Sequence, residues 1–244
     1  GRPCDVLALA EIAQRHGLLT IADCAHAIET RAADGRAVAA WADLACFSFY
    51  ATKNVTTAEG GMLVTRDPEL AGRVKTLALH GMSHDAWKRF SDEGYVHYAV
   101  MEAGFKYNMT DLQAAIGIHQ LARVESNLRR REEIWRRYDA AFEELPLELP
   151  APPAPGTRHA RHLYGARLEA GRRWISRDRF LAALHAEGIG SGVHYRALCE
   201  HPFYQRTLGV GAEEFPNAVD LGRSGFSLPL SAALSDADVQ DVIT

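Results

Sequence analysis

The chain has 244 residues, 47% hydrophobic and 24% charged, a globular composition that excludes a disordered or fibrous polypeptide. Its 27 Lys and Arg against 31 Asp and Glu give a formal charge of −4 with no long single-sign run, which speaks against a nucleic-acid stripe or a polybasic membrane patch. No apolar run approaches the roughly 20 residues that cross a bilayer, so neither a membrane span nor a secretory leader is expected.

The first expected element is a helix over residues 5 to 16, where Val6, Leu7, Leu9, Ala10, Ile12 and Ala13 recur at helical spacing and Gly17 supplies a stop. "LLTIAD" follows as a short apolar run ending in an acid, the pattern of a strand covered on both faces, and "ADLACFSF" and "GMLVTR" repeat it. Three such runs predict a largely parallel α/β sheet. "DPELAGRVKTLALHG" reads as a helix with Asp67 as N-cap, Pro68 at the first helical position and Gly81 at the stop. Residues 82 to 103 lack a period and are a candidate loop over a site.

Thr110 is expected to cap a long helical pattern that Gly117 or Asn127 could divide, and within it "NLRRREEIWRR" reads as a solvated face. "PLELPAPPAPGT" holds five of the ten prolines, so the domain boundary is expected there: residues 1–145 as a large domain and 146–244 as a smaller α/β domain. In the latter, "HLYGARL" and "IGSGVHY" read as strands, Ser176 caps a helix over "RDRFLAALHAEG", and "LSDADVQDVIT" is helical. Cys4, Cys24, Cys46 and Cys199 are scattered without a CxxC pair, which argues against a zinc site or a disulfide framework and for a reducing, cytoplasmic compartment.

Asp23 closes a strand where α/β proteins place ligands, although strand-ending aspartates equally cap the next turn or helix. His26, three positions on, is a residue type more often structural than catalytic. Ser48 and Lys53 flank the end of the neighbouring strand, the lysine lying between two apolar segments. An anion, a hydroxyl donor and an amine are what pyridoxal 5′-phosphate requires for its ring nitrogen, phosphate and aldehyde. The amine must be unprotonated to attack, which desolvation and nearby positive charge favour.

"DCAHA", "FSFYATKNVTTAEGGMLV" and "GFKYNMTDLQAAIGIHQL" together resemble the DegT/DnrJ/EryC1/StrS family of sugar aminotransferases, which have the type I pyridoxal-phosphate fold. "SRDRFLAALHAEGIGSGVHY" and "FSLPLSAALSDADV" resemble the family's small domain in the same order. The resemblance implies that Lys53 is the Schiff-base lysine, Asp23 the partner of the pyridine nitrogen, His26 a residue beside the cofactor ring and Ser48 a phosphate ligand. Lys106 or Asn108 would reach the phosphate of a neighbouring subunit's cofactor, which implies a two-fold homodimer. His194 is a substrate-contact candidate, with packing at a strand end as the equal alternative. The family's domain normally begins earlier, so its N-terminal third is expected to precede residue 1.

The implied reaction moves an amino group from an amino acid, glutamate first, to a nucleotide-linked keto-sugar, with a 4-keto sugar favoured. Two alternatives stand beside it. A sugar dehydratase of the same fold carries histidine where this chain has Lys53, and a catalytically silent binding or regulatory member would take up no cofactor.

Overall fold

The computed structural model describes residues 1–83, 98–169 and 175–244. It forms two compact units, residues 1–124 with 154–160 and residues 125–153 with 161–244. These do not coincide with the division expected after residue 145. The long helical pattern breaks at Arg123, and its second half packs with the C-terminal residues, while residues 154–160, at the end of the proline-rich stretch, belong to the first unit.

In the first unit, α1 (Val6–Arg15) is capped by Asp5, whose carboxylate accepts from Ala8 N at 3.1 Å, and Gly17 beyond it adopts φ +61°. Strands β1 (Ile21–Asp23), β2 (Leu44–Ser48) and β3 (Gly61–Thr65) form one sheet in that order. β1 and β2 pair parallel, as expected, and a connection of some twenty residues makes that possible. β3 runs antiparallel to β2, because only the short 49–60 loop joins them and it contains no crossover helix. Ala22, Ala45 and Phe47 pack on one face with Val6, Cys24 and Val38. α2 (Pro68–Ala78) has the expected Asp67 cap and Pro68 start, but ends before Gly81, which lies in the following turn at φ +70°. α3 (Asp111–Ala122) opens on a reciprocal capping box between Thr110 and Gln113.

The second unit is built on α4 (Val124–Phe142), whose Leu128, Arg131, Ile134, Trp135, Tyr138 and Phe142 are buried at helical spacing. The basic segment is therefore not solvated all round. Arg131, 4% exposed, donates through Nε to Arg161 O at 3.0 Å. The helix covers an antiparallel sheet of β4 (Leu147–Glu148), β5 (Tyr164–Leu168) and β6 (Gly225–Leu228). α5 (Arg177–Ala186), α6 (Pro202–Leu208), α7 (Pro216–Ser224) and α8 (Asp236–Ile243) complete it. Ser176 and Ser235 cap α5 and α8. "IGSGVHY" forms no strand: its pairing is the single bridge between Gly192 and Ser227, where two glycines weaken strand propensity.

Candidate active site

In the parallel pair Asp23 stands opposite Cys46. In-register neighbours share a face and side chains alternate along a strand, so Asp23, Cys46 and Ser48 lie on the sheet face opposite the Ala22, Ala45 and Phe47 packing. One strand spacing and a two-residue rise separate the Cα atoms of Asp23 and Ser48 by roughly 8 Å. Both residues sit at C-terminal strand ends.

Asp23 Oδ1 accepts from Ala25 N at 2.9 Å, and among the described residues Oδ2 accepts no hydrogen bond. The local capping role is thus an Asx turn that occupies one oxygen and orients the other. His26 lies half-buried in the turn that follows. The neighbouring Cys24 thiol is pushed above its ordinary pKa by burial first and by the Asp23 carboxylate second, which keeps it protonated and inert. Ser48 Oγ is 3.4 Å from Tyr50 N, a weak contact.

Lys53 occupies the loop between β2 and β3, where its backbone N–H donates to Tyr50 O at 3.0 Å. The loop is pinned on both sides of the lysine. Phe49 N donates to Gly60 O and Thr57 N to Phe49 O, each at 2.9 Å, while Val55 and Thr57 are buried. Asn54 Nδ2 donates to Glu29 Oε2 at 2.8 Å and to Ala160 O at 3.0 Å. Lys53 itself is half-buried, and among the described residues its Nζ makes no hydrogen bond or ion pair.

Lys106 and Asn108 come from a segment laid along the end of α2. Phe105 N donates to Leu77 O at 2.7 Å, Tyr107 N to Ala78 O at 2.8 Å, and His80 N to Phe105 O at 2.8 Å. Gly104 allows this approach: a Cβ there would stand inside contact distance of Gly81 N and 2.6 Å from the His80 carbonyl carbon. Lys106 Nζ donates to Asn108 Oδ1, so the two candidates are bonded to each other. Gln113 Nε2 reaches Glu59 O at 2.8 Å and ties the start of α3 to the Lys53 loop. The ends of the candidate loop over residues 82–103 pair with each other, Ser83 N donating to Ala99 O at 2.8 Å, and residues 84–97 lie outside the described residues.

His194 belongs to the second unit, where its Nδ1 lies 2.7 Å from Ser227 Oγ. Glu29 and Asn54 were not singled out by sequence reasoning. The signal was the amide beside Lys53, but its buried carboxylate partner cannot be read from spacing. Among the described residues no group of His, Cys, Asp and Glu is placed to hold a metal, and no helix is long and apolar enough to cross a membrane.

The model of the DegT/DnrJ/EryC1/StrS aminotransferase family matches residues 1–244. The spore coat polysaccharide biosynthesis protein SpsC of Bacillus subtilis is 43% identical over 244 residues, 100% of this chain and 62% of that protein. Among solved structures, the aminotransferase TlmJ from Streptoalloteichus hindustanus is 32% identical with a TM-score of 0.83, over 100% of this chain and 61% of its own. The PLP form of the putative sugar aminotransferase Spr1654 from Streptococcus pneumoniae is 30% identical with a TM-score of 0.84, over 99% of this chain and 64% of its own. The chain thus spans less than two thirds of the proteins it matches, and the fold is that of the type I pyridoxal-phosphate aminotransferases.

Proposed function

This chain belongs to the DegT/DnrJ/EryC1/StrS aminotransferase family, and on that premise we propose that it carries the lysine-bearing half-site of a pyridoxal-phosphate-dependent aminotransferase. The amino donor is an amino acid, glutamate first. The acceptor is a nucleotide-linked keto-sugar, with the 4-keto class favoured. The observation that carries the reading is the placement of Asp23 and Ser48 on one face at adjacent strand ends, followed by a pinned loop presenting Lys53 with its amine unengaged among the described residues.

That donor set fits the cofactor. The Asp23 Oδ2 oxygen would hold the protonated ring nitrogen, Ser48 with adjacent backbone N–H groups would hold the phosphate, His26 would stand beside the ring, and Lys53 Nζ would hold the aldehyde. When bound, pyridoxal phosphate supplies an electron sink for the pair released as a substrate C–H bond breaks. With its amine free, Lys53 Nζ would take the proton from the amino acid Cα as general base and, as the conjugate acid, would deliver it to the aldehyde-derived carbon of the cofactor. The Glu29–Asn54–Ala160 tie keeps the lysine's backbone fixed during this exchange.

A homodimer is part of the proposal. The Gly104–Asn108 segment presents Lys106 and Asn108 beside the exposed Phe105 and Tyr107, and one of the polar pair would contact the phosphate in the partner's site. The test is chemical trapping. The purified protein is incubated with pyridoxal phosphate, reduced with borohydride and digested; the reading expects the cofactor on the peptide containing Lys53, and loss of both label and amino transfer in Lys53→Ala. Label on a different lysine, or undiminished turnover in that variant, would reject it. Complete failure to bind the cofactor would favour the silent member of the fold.

A further inference from the structure

We propose that Gln113 is a positioning residue that fastens the segment carrying Lys106 and Asn108 to the Lys53 loop, so that one chain presents its amine and its polar pair as a single piece. The inference rests on the reading of Lys53 as the cofactor lysine and of Lys106 or Asn108 as a phosphate contact in a partner's site, and adds what holds the two in register.

The Gln113 amide is used at both ends. Its Oε1 accepts from Thr110 N at 2.8 Å and from Thr110 Oγ1 at 3.0 Å, and its Nε2 donates to Glu59 O at 2.8 Å. Turning the amide over would set N–H against the Thr110 N–H and oxygen against the Glu59 carbonyl, so the partners fix one orientation. The capping box accounts for only the first half, since it needs an acceptor at position 113, which glutamate supplies as well as glutamine. The donor half goes instead to a backbone oxygen 54 positions away, in the loop that bears Lys53. That oxygen also accepts from Thr57 Oγ1 at 2.7 Å, and the buried Thr57 donates through its N to Phe49 O at 2.9 Å. The bond therefore lands on the pinned part of the loop.

Two glycines make room for the same contact. A Cβ at position 60 would stand 3.0 Å from Met109 Cε, and one at position 117 would stand 3.1 Å from Thr57 Cγ2. Gly117 does not divide α3; it is where the helix comes down on the Lys53 loop, despite the low helix propensity of glycine. Lys106 and Asn108 lie just before Met109 and Thr110, and on their other side Phe105 N and Tyr107 N donate to Leu77 O and Ala78 O. The segment is thus tied to the end of α2 on one side and, through Gln113 and Met109, to the Lys53 loop on the other. A glutamine that only capped a helix would not need its N–H directed at a second element. In a two-fold dimer the tie sets a fixed spacing between the loop that serves a chain's own site and the segment that serves its partner's.

Gln113→Glu separates the two halves, because near neutral pH the carboxylate keeps the acceptor for Thr110 and lacks the donor for Glu59 O. Residue-resolved hydrogen exchange on the cofactor-free chain reads the tie directly. In Gln113→Glu, protection at the Phe49 and Thr57 amides should fall about tenfold, the weight of one hydrogen bond, while the interior amides of α3 keep theirs. Gln113→Ala, which loses cap and tie together, should lower both. Borohydride trapping of pyridoxal phosphate at Lys53 should also slow about tenfold in Gln113→Glu. Unaltered protection at Phe49 and Thr57 in that variant overturns the proposal, and so does an equal loss throughout α3, which would make the glutamine a cap alone. Loosened loop amides with trapping at the wild-type rate overturn it too, leaving Lys53 as the cofactor lysine. If the wild type traps no cofactor at Lys53, the aminotransferase reading fails separately, and the loop amides, which need no cofactor, still decide whether Gln113 holds the loop to the segment.

Discussion

Replacing Glu29 asks how firmly the Lys53 loop is held. Its side chain, 2% exposed, accepts from Asn54 Nδ2 at 2.8 Å, and the same amide donates to Ala160 O; Arg158 Nε donates to Glu29 O at 2.7 Å. One amide beside Lys53 therefore joins the loop to residues 29–31 and to the 154–160 stretch. Glu29→Ala removes a hydrogen bond to a charged group, a loss of about 1.5–3 kcal/mol, to which the emptied volume adds about 1 kcal/mol. Glu29→Gln keeps both the volume and an acceptor oxygen, so about 1 kcal/mol is expected. At ~2–4 °C per kcal/mol for a chain of this size, the Ala variant should melt roughly 5–15 °C below the wild type and the Gln variant within roughly 4 °C. Calorimetry measures both, and borohydride trapping at Lys53 should slow in the order wild type, Gln, Ala. An Ala variant that melts with the Gln variant and traps cofactor at the wild-type rate would refute the tie.

Gly104→Ala should force the 102–105 segment off the His80–Gly81 backbone and destabilise the first unit by about 3 kcal/mol, seen as loss of hydrogen-exchange protection at the Phe105 and Tyr107 amides; unchanged protection would contradict it. Burial pushes the Tyr138 phenol up to about 12, and its O–H donates to Pro229 O at 3.0 Å. Because the folded value lies above the unfolded value of about 10, this stabilisation is complete below pH ~10 and is lost as pH rises towards 12, an amount of about 2–3 kcal/mol. Tyr138→Phe should flatten that alkaline limb in denaturant titrations between pH 8 and 11.5, and an unaltered limb would count against the assignment. Asp23→Asn should still allow covalent trapping at Lys53 but lower turnover by about tenfold to a hundredfold, the weight of one charge-assisted hydrogen bond; full turnover would remove Asp23 from the site.

The contrast between what the sequence announced and what it hid has a physical basis. The placement of Asp23 and Ser48 at adjacent strand ends was legible because both close short apolar runs, and parallel pairing of two such runs brings their C-terminal ends together. The direction of β3 was not legible, since an apolar strand reads the same either way and only the short loop before it decides. The proline-rich stretch did mark a departure from regular structure, but it belongs to both units: Leu147 and Glu148 pair with β5, whereas Arg158 N and O exchange bonds with Arg31 in the first unit. A composition change shows that the chain leaves an element, not which core it joins next.

Buried polar ties are the least legible of all. Glu29 and Asn54 stand 25 positions apart, and His194 and Ser227 33 apart, with no periodicity linking either pair. In sequence a glutamate or a serine reads as surface, and only the fold shows that each has been withdrawn from water. Withdrawal has a cost, and an unsatisfied buried group loses about 1–3 kcal/mol, so each such group takes a hydrogen-bond partner inside the fold. In this chain one such tie, Glu29 with Asn54, adjoins the proposed cofactor lysine, Lys53. Strand-end positions announce themselves through the apolar runs they close, while a buried polar tie is recognised only by the water its members have given up.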